Sequence, residues 1–160
     1  MPRRPLQRSH TLPISRVPPA PQSGVIPYRR AGEEVEILLI TSSRRRRWTI
    51  PKGYVKTGLS PVISALEEAW EEGGIRGIVS EAPVGHYLYT KRALLLSVEV
   101  FSLRVEETHD VWPERWKRRR VWMPLAESIE AIEEPGLRQV LDQFGVSLLE
   151  LNIGPTDSRS

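Results

Sequence analysis

A loop and helix between residues 50 and 75 restrict this chain more than any other segment. Ile50-Pro51-Lys52-Gly53-Tyr54-Val55-Lys56-Thr57-Gly58 runs into a helix that ends Glu67-Glu68-Ala69-Trp70-Glu71-Glu72-Gly73-Gly74-Ile75. Ser60 suits the N-cap, Pro61 the first helical position, and Gly73-Gly74 the stop. Val62, Ala65, Leu66 and Ala69 make an apolar stripe, and the acids fall away from it. Glu68, Glu71 and Glu72 stand at i, i+3 and i+4, so three carboxylates share one face. Together they can hold a hard divalent metal, Mg²⁺ or Mn²⁺, which takes oxygen ligands and leaves positions for water and substrate phosphate.

The chain has 160 residues, enough for one domain with a real core. It has no cysteine, which excludes disulfides and Cys-based zinc sites, and His10, His86 and His109 show no ligand spacing. No run approaches the ~18 apolar residues of a membrane span, and the N-terminus lacks the apolar core of a secretory signal. A cytoplasmic protein with no membrane partner is the expectation. The sequence sets no oligomeric state. The pI near 9.5 owes much to Arg3, Arg4, Arg8 and Arg16, without which acids outnumber bases. Six basic groups and no acid lie within residues 44–56, and five lie within Arg115–Arg120. If the two segments converge, they form basic walls around an acidic floor, which suits a polyphosphate and its counter-ion.

Three parts are expected: a basic, Pro-rich arm over residues 1–21, disordered or loosely docked; a folded domain over 22–150; and a polar tail over 151–160. Within the domain, Ser23–Arg30 and Val35–Thr41 read as strands, joined by a turn at Gly32. Trp48–Ile50 is a short extended piece ended by Pro51. Pro83–Thr90 alternates, with Val84, His86, Leu88 and Thr90 on one parity. Ala93–Val105 follows as a long strand after a turn marked by Lys91-Arg92. Arg119–Pro124 is another strand, and Leu125–Ile132 and Glu134–Phe144 read as helices.

The loop and helix together resemble the Nudix box, G-x5-E-x7-R-E-U-x-E-E-x-G-U with U a bulky aliphatic. Aligned on Gly53, the pattern meets Glu68, Glu71, Glu72, Gly74 and Ile75 in register. Leu59 replaces its first Glu and Glu67 its Arg, while Ala69 is smaller than the usual aliphatic. In the family that Glu and Arg are thought to brace the loop on the helix, and losing both leaves no orphan charge. Leu38–Arg44 with Trp48–Pro51, and Trp112-Pro113-Glu114 with Lys117–Trp122, are similar to diphosphoinositol polyphosphate phosphohydrolases and diadenosine polyphosphate hydrolases.

This resemblance implies an α/β fold, an α/β/α sandwich with a mixed central sheet and the box helix on one face. It implies hydrolysis of a phosphoanhydride with Mg²⁺ or Mn²⁺. Glu68 and Glu72 are the expected ligands, with Glu71 a ligand or its supporting partner, and the Gly53 carbonyl a further ligand. Glu68 and Glu71 are the candidates for catalytic roles, Glu68 as base. Arg44, Arg46, Arg47 and Lys52 on the entry side, and Arg115, Arg118 and Arg120 on the late side, are candidates for phosphate. On a strand, Arg118 and Arg120 share a face opposite Arg119. Glu114 is a candidate extra carboxylate, ahead of Glu106. Trp112, Trp116 and Trp122 can stack a base or fill the core. The expected partner is a polyphosphorylated small molecule of the diphosphoinositol polyphosphate or diadenosine polyphosphate class. The competing readings are an RNA 5′-pyrophosphohydrolase, with nucleic acid as partner, and a catalytically weak nucleotide or polyphosphate sensor.

Overall fold

Alternate residues of a strand face opposite sides, so consecutive buried residues need cover on both. Strands β1 (Ala20–Ala31) and β2 (Glu34–Thr41) meet this condition in the computed structural model, which describes residues 17–152. Val25 and Leu38 join an apolar cluster with Ala65, Ala69 and Phe101, while Ile26, Ile37 and Leu39 join another with Leu137, Leu141 and Phe144. The first cluster lies under helix α1 (Pro61–Gly73), the second under helix α3 (Pro135–Asn152).

The remaining elements are β3 (Trp48–Thr49), β4 (Lys52–Tyr54), β5 (Ile75–Val79), β6 (Gly85–Lys91), β7 (Leu94–Thr108), β8 (Arg120–Pro124) and α2 (Leu125–Ala131). The strands form one sheet in the order β3-β2-β1-β7-β5, with β4 also on β1, β6 on β7 and β8 on β2. β1 and β7 run parallel and every other pair antiparallel. The architecture is therefore the expected α/β/α sandwich around a mixed sheet.

Helix α1 begins and ends where its punctuation places it. Ser60 Oγ accepts from the Ile63 N–H at 3.3 Å, and Pro61 opens the helix. Gly74 takes a left-handed φ of 65°, which a side chain would oppose, and its N–H donates to carbonyls of Ala69 and Trp70.

Several expectations shift. β1 begins at Ala20, inside the span assigned to the arm, and α3 reaches Asn152, inside the span assigned to the tail. Residues 1–16 and 153–160 lie outside the described residues. β4 and β5 were not anticipated: β4 is three residues held by pairing with Gln22–Gly24, and β5 follows the Gly73-Gly74 stop at once. On β6 the parity reverses. Tyr87 is 4% exposed and Leu88 52%, because Tyr87 belongs to the cluster beneath α3. Lys91 pairs with Leu94, so the two-residue turn is Arg92-Ala93, one residue later than expected. Both turn residues have positive φ, 51° and 62°. Among the described residues, no helix is long and apolar enough to cross a membrane.

Candidate functional site

β4 lays the loop backbone against the acidic face of α1. A Cβ on Gly53 would stand 2.4 Å from the Glu68 carboxyl carbon, so a side chain there would displace the Glu68 carboxylate. The Lys52 N–H donates to Glu72 Oε1 at 3.0 Å. Pairing of the loop with β1 thus reaches the helix through a buried carboxylate.

Glu72 is 4% exposed. Burial pushes its carboxyl up to about 7, outweighing the Arg118 guanidinium, which pulls the other way from 2.7 Å at Oε2. Glu68 is also raised, by burial first and then by the charge of Glu71. Lys56, from the loop, reaches Glu67 Oε2 at 2.5 Å and Glu71 Oε1 at 3.4 Å. Its ammonium pKa is raised, chiefly by the hydrogen bond to Glu67.

The segment between β7 and β8 covers the C-terminal end of α1, where helical carbonyls lack internal partners. The His109 N–H donates to Gly74 O at 2.9 Å and the Glu114 N–H to Glu71 O at 3.0 Å. The Trp112 indole donates to Glu72 O at 3.0 Å, and Arg120 Nη1 to Gly73 O at 2.9 Å. Arg118 then bridges the segment to the site, donating to Thr41 O at 3.0 Å and Glu114 Oε1 at 3.3 Å besides pairing with Glu72.

Beside Glu72 and Arg118 opens a cleft of about 570 Å³. Arg44, Arg45 and Arg47 come to it from the β2–β3 loop, Lys52 from β4, and Lys91 and Arg92 from the β6–β7 hairpin. Glu133 and Glu134 lie on its rim, and Glu133 pairs with Arg47 at 2.8 Å. Tyr87 and Tyr89 form part of the wall. The Tyr89 hydroxyl donates to Gln22 Oε1 at 2.8 Å, with Lys52 Nζ 5.3 Å from its ring centre. The buried Tyr87 hydroxyl and Arg118 Nε have no protein partner. Lys52 has its ammonium pKa lowered, burial being the largest cause and Glu72 opposing it. A separate depression of about 470 Å³, lined by His86 and Glu99 among others, contains none of the box glutamates.

The structure sorts the expected residues. Arg44, Arg47, Lys52 and Arg118 line the cleft. Arg46, with a left-handed φ of 50°, does not line it, nor do Arg115 and Arg120. Arg115 stacks on the exposed Trp116, and Arg120 stacks on Trp112 while capping α1. Trp122 carries Arg29 on its ring at 4.1 Å. Arg118 and Arg120 do share the inward side, with Arg119 exposed. Glu114 joins the Arg118–Glu72 group, while Glu106 stays exposed on β7 near Arg104. Sequence reading missed Arg45, Lys56, Lys91, Arg92 and the two tyrosines. Reversing the parity of β6 would have found Tyr87, Tyr89 and Lys91 together.

Among the described residues, no three acidic or histidine side chains converge as a ready-made metal cage. The donor chemistry nevertheless fits a hard divalent cation: only oxygens, two of them neighbouring carboxylates in Glu68 and Glu71, with the charge of Glu71 raising Glu68. A cation held by these carboxylates would relieve that repulsion.

The sequence pattern of the NUDIX domain matches residues 18–144. Nudix hydrolase 21, chloroplastic, of Arabidopsis thaliana is 31% identical over 147 residues, covering 88% of this chain and 71% of that protein. Diphosphoinositol polyphosphate phosphohydrolase 2 of Rattus norvegicus is 26% identical over 136 residues, covering 82% and 72%. Among solved structures, the C. elegans Ap4A hydrolase binary complex superposes with a TM-score of 0.71 at 22% identity, covering 82% of this chain and 98% of that one. Nudix enzymes generally use divalent metals, in keeping with the oxygen-only donor set on α1. With its box helix, mixed sheet and domain match in agreement, the chain belongs to the Nudix family and is a pyrophosphohydrolase of that family.

Proposed function

We propose that the enzyme hydrolyses a phosphoanhydride in a densely phosphorylated small molecule, a diphosphoinositol polyphosphate first and a diadenosine polyphosphate second, with Mg²⁺ or Mn²⁺ as cofactor. The observation that carries this reading is the cleft itself. Cations from four separate segments face it, beside a buried carboxylate on the box helix. Its unpartnered Tyr87 hydroxyl and Arg118 Nε are donors that phosphate oxygens satisfy. The inositol class is placed first because seven cationic side chains line the cleft, matching dense phosphorylation, against three aromatic ones, Trp48, Tyr87 and Tyr89. Trp112 and Trp122 carry their own arginines, and Trp116 lies outside the cleft. The similar rat protein is named for that substrate, the similar C. elegans structure for Ap4A.

Glu68, Glu71, Glu72 and the Gly53 carbonyl would hold the metal. Bound there, it supplies positive charge that neutralises the phosphoanhydride oxygens. The chain supplies the rest. Arg118 and Lys52 anchor phosphate next to the carboxylates, and Arg44, Arg45 and Arg47 with Lys91 and Arg92 take the outer phosphates. Glu68, raised by burial and by Glu71, is suited to accept a proton from the attacking water. Glu114 holds Arg118 in place.

The test is a panel of diphosphoinositol polyphosphates, diadenosine polyphosphates and 5′-triphosphorylated RNA with Mg²⁺ or Mn²⁺, products followed by phosphorus NMR. Turnover is expected on the first two, faster on the first. Turnover of the RNA alone overturns the substrate assignment, and binding without turnover of any overturns the catalytic roles.

A further inference from the structure

Leu59 and Glu67 occupy positions where the Nudix box pattern has a glutamate and an arginine. A loop-to-helix ion pair is present all the same, with reversed polarity and its loop member three residues earlier. The cation is Lys56, on the loop, and the anion is Glu67, on α1. Lys56 is tied to the helix three times. Its backbone N–H donates to Ser64 Oγ at 3.1 Å, and its ammonium reaches Glu67 at 2.5 Å and Glu71 at 3.4 Å. Ser64, Glu67 and Glu71 stand at i, i+3 and i+7, one stripe of the helix. Ser64 is fully buried, so the tie starts from a fixed point and runs along the stripe to a box glutamate. On either side the Val55 N–H donates to Pro21 O at 3.1 Å and the Leu59 N–H to Lys56 O at 3.0 Å. The backbone of Lys56 is therefore set before its side chain is.

We propose that Lys56 is the positioning residue of the box in this chain: it fastens the Gly53 loop to α1 and orients Glu71, in place of the Glu–Arg pair of the family pattern. This rests on the reading of Gly53 and Glu71 as metal-site residues. It also reverses the expectation for a family-restoring substitution. Arginine at position 67, the residue the pattern asks for, sets a second cation against Lys56 and harms the site. The effect is on geometry more than stability, since exposed ion pairs contribute little to folding. Groups that orient metal ligands, by contrast, change affinity or activity by about ten- to a hundred-fold.

The test uses the full chain and three readouts: Mn²⁺ affinity by electron paramagnetic resonance without substrate, kcat and KM separately, and the thermal melt. Lys56→Met and Glu67→Arg are each expected to lower Mn²⁺ affinity and kcat by about ten-fold, with KM changed less than two-fold. Lys56→Arg recovers most of the loss. The combination Lys56→Met, Leu59→Glu, Glu67→Arg, which installs the family pair, recovers most of what Glu67→Arg alone loses. Melting temperatures stay within about 3 °C of wild type. Glu67→Arg at or above wild-type activity overturns the proposal, as does a Lys56→Met protein unchanged in Mn²⁺ affinity. Should Lys56→Met not fold, Glu67→Arg and the triple variant decide. A wild-type protein that neither binds Mn²⁺ nor hydrolyses the panel overturns the reading of the site instead.

Discussion

Arg118–Glu72 and Lys56–Glu67 each join a cation to a glutamate of the same helix, yet they do different things. The side chains of the first pair are 11% and 5% exposed, those of the second 41% and 42%. Burial makes the first a condition of the site, since a carboxylate taken out of water needs either a partner or a proton. Solvent makes the second cheap to break energetically, so it can matter only through what it aligns. One contact chemistry thus serves two purposes, chosen by depth.

The largest effect expected is from Arg118→Met. It should lower kcat/KM by about a hundred-fold, because the same fork holds Glu72 and is proposed to anchor phosphate. At pH 8 it should destabilise the protein by about 3 kcal/mol in chemical denaturation. At pH 6 the cost shrinks, because Glu72 can take a proton. Equal destabilisation at both pH values would show that burial of charge is not what distinguishes this pair.

A pH effect of intermediate size sharpens the contrast. The Glu72 carboxyl lies at about 7 in the folded protein against an ordinary 4.5. Between those values the folded state holds more protons than the unfolded, so stability falls as pH rises through that window. The metal-free protein should melt about 5 °C lower at pH 8 than at pH 5 from this source, and Glu72→Gln should remove the difference. A slope that survives the substitution assigns it to another group.

Salt gives the smallest effect. At 1 M ionic strength the screening length falls to about 3 Å, which weakens exposed pairs far more than buried ones. Raising salt at saturating substrate should cost wild type about two-fold in kcat and leave Lys56→Met nearly unaffected. Equal losses in both proteins would remove Lys56 as the salt-sensitive element.

The depth of a contact also divides what the sequence disclosed from what it hid. Ser60, Pro61 and Gly74 announce α1 because caps act within a few residues. The run Ile37–Ile40 discloses a strand covered on both sides. Lys52-Gly53-Tyr54 gives no such signal. It is a strand only because Gln22–Gly24 lies beside it. That the box glutamates share a helical face behind a glycine loop was legible from their spacing, whereas the placement of the arginines was not. Whether Arg44 or Arg46 faces the cleft depends on a left-handed backbone angle at one of them, and whether Arg118 or Arg120 does depends on the carbonyl each can reach, Thr41 O on β2 or Gly73 O on α1. Lys56 stayed hidden because its partner Glu67 lies eleven residues on, in a position read as a loss.

Helix α1 carries no basic residue in its last turn, where Glu71 and Glu72 sit against the negative end of the helix dipole. The compensating donors arrive from elsewhere, as Trp112, Glu114 and Arg120 close the carbonyls of Glu72, Glu71 and Gly73. The final turn and the segment after β7 therefore open as one unit. In amide hydrogen exchange, Trp70 to Gly74 and residues 109–120 should lose protection together, while Ala65 and its neighbours above the sheet hold out longer.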